Sequence, residues 1–117
     1  MPTLTPVIPS GSTNGRPIKV AATATPGTLI HTATSTSGQF DELTLYAMNT
    51  DSSDRKLTIE LGGVTDPDDL IERTIPAESG LVPILVGHRL NGGVAVRAFA
   101  ASADVVTIVP DVTRYTP

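Results

Sequence analysis

From Glu42 to Leu61 (ELTLYAMNTDSSDRKLTIEL) apolar and polar side chains alternate in two runs separated by a short polar turn. In the first run Leu43, Leu45 and Ala47 share one face, while Glu42, Thr44, Tyr46 and Met48 share the other. In the second, Leu57, Ile59 and Leu61 oppose Lys56, Thr58 and Glu60. A period of two belongs to half-buried strands, whereas a helix would scatter these residues around its axis. The pattern predicts two paired strands with an apolar face turned to a core.

Similar runs recur on both sides. Ile18 to Ala24 reads as a strand with Ile18, Val20 and Ala22 on one face, and Pro26-Gly27 as a turn before a strand over Thr28 to Thr34. Thr34 to Gln39 and Val64 to Asp69 are polar loops, and Leu70 to Ile75 is a strand that ends at Pro76. Leu81 to Val86 is nearly all apolar, but Pro83 has no amide hydrogen to give a ladder, which assigns the run to a sheet edge. Asn91-Gly92-Gly93 is the strongest hairpin signal, since Asn and Gly tolerate positive φ. Val94 to Ala100 sets Val94, Val96, Ala98 and Ala100 against Arg97 and Phe99, and Pro110 divides Val105–Val109 from Val112–Tyr115. About eight short strands and no helix predict an all-β fold: a single antiparallel β-sandwich, a jelly roll or another Greek key. The strand order stays open.

Residues 1–17 differ from the rest, being rich in Pro, Thr and Ser and free of acidic side chains. Proline favours extended backbone and withholds ladder hydrogen bonds, so the expectation is an N-terminal arm ahead of a sandwich domain at 18–117. Leu4, Val7 and Ile8 are too few to fold alone. They are candidates for contact with a partner, as a strand added to a neighbouring sheet.

Composition agrees with one domain. A chain of 117 residues with two Phe, two Tyr and no Trp must build its core from Val, Ile, Leu and Ala. Those residue types suit sheets. The net charge of −4 and scattered basic residues argue against a grip on nucleic acid or an anionic membrane. The absence of Cys rules out disulfides and thiolate chemistry. The N-terminus has neither a basic n-region nor an apolar h-region, and no apolar run reaches transmembrane length. The expectation is a protein that stays in the cytosol or is assembled there into something larger.

No catalytic or metal constellation emerges. His31 and His88 lack companions at zinc-ligand spacing, and read as strand histidines with local partners. Asp66, Asp68 and Asp69 supply carboxylates but not a calcium-loop spacing, and read as a solvated turn. Ser79 lacks the preceding glycine of a nucleophile elbow. Asp41 and Glu42 are adjacent, so in a strand they point to opposite faces and do not form an acid/base pair. A non-enzymatic protein without cofactor or metal is expected. A glycan-binding module is the main rival, but sugars stack on aromatic platforms and only Phe40, Tyr46, Phe99 and Tyr115 exist, the two Phe being expected in the core.

Four stretches carry a resemblance: Leu43–Asp51 (LTLYAMNTD), Leu57–Gly63 (LTIELGG), Ile75–Leu81 (IPAESGL) and Gly93–Ala100 (GVAVRAFA). They resemble small virion structural proteins of tailed bacteriophages and gene-transfer particles, over roughly Gly27 to Arg114. The resemblance implies a β-sandwich on the particle, foremost a capsid decoration (cement) protein that binds the major capsid protein and assembles as a homo-oligomer. A head-spike or tail-associated protein is the alternative, and no catalytic residues carry over. Tyr46 and Met48 are more apolar than a solvated face requires, which makes them the second candidate contact surface.

Overall fold

The computed structural model describes all residues, Met1–Pro117. Nine strands and no helix make up the chain: β1 (Thr3–Val7), β2 (Ile18–Lys19), β3 (Thr28–Thr32), β4 (Phe40–Asn49), β5 (Arg55–Leu61), β6 (Leu70–Ile75), β7 (Val82–Leu90), β8 (Ala95–Ala100) and β9 (Val106–Thr116). One sheet has the order β1-β9-β4-β7, with β2 also on β9, and the other has the order β3-β8-β5-β6. All the pairings are antiparallel.

The winding follows from these pairs. β1 and β2 lie on β9, β3 on β8, β4 on β7 and β5 on β6. The chain is thus a long two-stranded ribbon doubled back at the β5–β6 turn. It is rolled so that β4 also meets β9 and β5 also meets β8. A five-stranded and a four-stranded antiparallel sheet wound in this way have the strand order of a jelly-roll sandwich.

Alternation explains the layers. In β4 every odd-numbered residue from Asp41 to Asn49 is buried and every even-numbered one from Phe40 to Met48 is partly exposed. Leu43, Leu45 and Ala47 pair with Val112, Pro110 and Ile108 and face inward with them. From the other sheet come Ile30, Leu57, Ile59, Val96, Ala98 and Ala100, all within the buried cluster. Small Ala side chains alternate with branched ones, which lets two twisted sheets close without aromatic residues between them.

The roll corrects several expectations. Runs Glu42–Met48 and Lys56–Leu61 are strands, but they do not pair: β4 and β5 belong to opposite sheets. The turn between them is an arch, organised by buried Asn49, whose Nδ2 donates to Ser53 O (2.8 Å) and Ile75 O (3.0 Å) while its Oδ1 accepts Asp51 N–H (2.9 Å). Asn91-Gly92-Gly93 has the expected positive φ at both glycines, yet it also joins the two sheets rather than closing a hairpin. The strand expected over Ile18–Ala24 stops at Lys19, because the chain leaves β9 and crosses to the second sheet, where Ala22 O accepts the Ala100 N–H.

Two prolines sit where the ladder spares them. Pro83 lies in edge strand β7, as expected. Pro110 does not break its run: β9 continues through it. On the side away from β4, β9 meets β2 at Thr107–Ile108 and β1 only from Val112 onward, so Pro110 faces the interval between them. The N-terminal residues are not a free arm. Thr3–Val7 is an edge strand of the chain's own sheet, paired from Thr3↔Thr116 to Val7↔Val112.

Candidate functional site

Two features of the molecule carry chemistry: a buried polar cluster between the sheets, and the outer face of the β1-β9-β4-β7 sheet.

The cluster is built on Asp41, which the phase of β4 turns inward although it is charged. Its Oδ1 accepts Arg114 Nε–H at 2.7 Å, and its Oδ2 accepts an Arg114 terminal N–H at 2.9 Å. Oδ2 also lies 3.0 Å from the Thr34 amide and 2.8 Å from His31 Nε2. Burial pushes the Asp41 carboxyl upward, but the Arg114 fork and the bonds from His31 and Thr34 outweigh it and hold the pKa below the usual carboxylate value. The same pair raises the Arg114 guanidinium above its ordinary range. His31 is buried beside it. Its Nδ1 accepts the Ser10 backbone N–H at 3.1 Å, which fixes the proton on Nε2, where it is donated to Asp41.

Ser10, His31 and Asp41 thus stand in sequence, and Ser10 Oγ is 3.4 Å from Nδ1. The arrangement differs from a nucleophilic triad in three ways. The acceptor nitrogen is taken by a backbone amide, and Ser10 Oγ accepts the Thr32 N–H at 2.6 Å. The nearby amides are engaged as well, Gly11 with Ile30 O and Ser12 with Pro9 O, so no free N–H pair faces a developing oxyanion. None of the three surface depressions includes these residues. The cluster ties the N-terminal segment, β3, β4 and β9 across the two sheets.

The outer face is a second consequence of strand phase. Leu4, Tyr115 and Phe40 form one row across β1, β9 and β4. The Phe40 and Tyr115 rings stack at 4.8 Å between centroids, and the Arg89 guanidinium lies 5.7 Å from the Phe40 centroid. Further along, Val109, Tyr46 and Pro83 form a row, and Lys19, Thr107 and Met48 another. Three of the four aromatic side chains therefore lie on one external face, which corrects the expectation that Phe40 is core. Thr107 Oγ1, in the last row, is buried without a hydrogen-bond partner.

The candidate contact residues separate by this geometry. Leu4 and Ile8 are exposed, at 68% and 60%. Val7 turns inward opposite Val112 and packs against the core. Tyr46 and Met48 are half-buried on the outer face. Thr58 and Glu60 lie on the other sheet and are buried, and Thr25 and Gly27 donate to the Glu60 carboxylate at 2.5 and 2.6 Å. Phe99 is also external on that sheet, beside the Lys56–Glu72 ion pair. In the acidic loop, Asp69 Oδ2 accepts the Thr65 amide. His88 is exposed on β7, opposite Leu43.

Sequence reasoning missed Arg114 and the Phe40–Tyr115 stack. The signal for both was the same alternation carried further: Phe40 is in phase with Tyr46, and Arg114 with Val112. Comparison with protein-family models, with curated proteins and with solved structures gives no match.

Proposed function

We propose that this chain is a non-enzymatic structural protein of a virus particle, a decoration protein of a phage head, which docks on capsid subunits through the outer face of its β1-β9-β4-β7 sheet. The observation that carries this reading is the concentration of Leu4, Phe40, Tyr46, Met48, Val109 and Tyr115 on one unpartnered face of a chain poor in aromatics. A sheet face that only meets water needs no such side chains. The resemblance of Leu43–Asp51 and its companion stretches to small virion proteins points the same way, and jelly rolls are common in capsid architecture. Fold alone does not decide function; the apolar face carries the assignment.

A glycan platform fits less well. Phe40 is flanked by Tyr115 and Arg89, and the Tyr115 ring is engaged in turn, which leaves Tyr46 as the one aromatic of this face outside the stack.

Co-sedimentation with heads assembled without the protein tests the proposal. The wild-type chain is expected to pellet with the heads, and a Tyr46→Asp, Met48→Ser variant to lose at least about tenfold in affinity, because an interface core tolerates neither charge nor lost packing. Both side chains are half-exposed, so the melting temperature should move little. Unchanged pelleting of the variant would remove this face from the account.

A further inference from the structure

The N-terminal segment is held down by a histidine whose two ring nitrogens are both committed. Ser10 N–H donates to His31 Nδ1, Gly11 N–H donates to Ile30 O at 2.9 Å, and Thr32 N–H donates to Ser10 Oγ. These three bonds close the free edge of β3. Gly11 lies so close to β3 that a Cβ on it would come within 2.6 Å of Ile30 O. Upstream of this fastening, β1 has only Val7 turned to the core. Thr3–Val7 is held by its ladder to β9, whereas the hold on Ser10 and Gly11 includes a contact that exists only while Nδ1 is unprotonated.

We propose that Ser10, His31, Asp41 and Arg114 form an acid-sensitive clasp: protonation of His31 at Nδ1 releases the N-terminal segment from the edge of β3. Once Nδ1 carries a proton it faces the Ser10 N–H donor to donor, and the acceptor bond is lost. Ser10 Oγ, 3.4 Å away, accepts the Thr32 amide and keeps a second lone pair, so Nδ1–H can turn to it only as the Ser10 N–H is displaced from the ring. The charged groups facing His31 are Asp41 from β4 and, through it, Arg114 from β9. The β8 residue opposite is Val96, and Pro9 to Ser12 are uncharged. The Asp41 carboxyl is held below the ordinary carboxylate range, so it remains a charged acceptor for the imidazole in mildly acid solution. Asp41 accepts from Nε2–H in both states and holds the ring in place, so the change is felt on the Ser10 side.

This inference stands apart from the particle reading and is tested on the free protein. Ring-nitrogen NMR shifts of His31 and His88 are followed from pH 7.5 to 5.0 with amide exchange of Ser10, Gly11 and Thr32, corrected for intrinsic rates. Protection at Ser10 and Gly11 is expected to fall at least about tenfold in step with His31 Nδ1 protonation, the scale of losing a partly buried hydrogen bond. Protection at Leu43 and Ile108 in the core is expected to hold. An H31N variant, whose amide oxygen can replace Nδ1 as acceptor, should keep the segment protected at both pH values. Should that variant fail to fold, the wild-type titration decides alone. A His31 that stays neutral to pH 5.0, or one that titrates while Ser10 and Gly11 keep their protection, overturns the clasp.

Discussion

Asp41 shows how much one residue's phase can decide. Its neighbours in sequence, Phe40 and Glu42, face outward, and Asp41 faces inward because β4 alternates without a slip across it. That much is legible in the sequence, which separates Asp41 from Glu42. Its partners are not, because they arrive from ten residues before it and 73 residues after it. Only the winding of the sheets brings them together. Asp41→Asn should lower unfolding free energy by roughly 3 kcal/mol, since it leaves a guanidinium and an imidazole short of their acceptor. The pH dependence has a definite sign. The folded-state pKa of Asp41 is depressed, so its stabilisation is complete above the unfolded value near 3.8 and is lost as pH falls through the lower folded value. Urea titrations at pH 7 and at pH 3 should show the wild type weakening over that acid window. Asp41→Asn should show a smaller loss there.

Among the elements, strands were readable and their company was not. Alternation located β4, β5, β6 and β8 to within a residue or two, and Pro83 assigned β7 to an edge. Turn chemistry shows where a chain reverses but not which sheet receives it. In a jelly roll most reversals cross between sheets, so Asn91-Gly92-Gly93 and the polar turn after Asn49 were read as hairpins when both are crossings. Asn49 is the residue that makes the second crossing possible, and Asn49→Ala should cost about 2 kcal/mol by leaving the Ile75 carbonyl and the Asp51 amide without their partner. Denaturant melts compared at constant slope measure it. The N-terminal strand was misread for a related reason. Proline and threonine excluded a central strand but not an edge one, and nothing local marks Gly11 as the point of closest approach to β3. Gly11→Ala should detach that point and lower the melting temperature by several degrees, about 1 kcal/mol on a domain of this size, with the core ladder still protected from exchange. A variant as stable as the wild type would mean the segment contributes nothing to the fold.

At the scale of the molecule, the two sheets are used differently. Thr25 and Gly27 cover part of the outer face of one, while the outer face of the other holds three aromatic side chains and is covered by nothing of its own. The edges are guarded: β7 carries Pro83 and a bulge in which Gly87 N–H donates to Thr44 Oγ1, and β6 presents Glu72 and Arg73. Open-ended pairing at these two edges is thereby discouraged. A body 49 Å long with one uncovered apolar side is compatible with the proposed attachment to a symmetric surface, where many modest contacts would act together. The most direct measurement is the ratio of this chain to the major capsid protein in purified intact particles. The account predicts a fixed ratio, retained through a density gradient and lost when Tyr46→Asp, Met48→Ser replaces the wild-type chain. Absence of the wild-type chain from the particles, or a variable trace of it, would contradict the account.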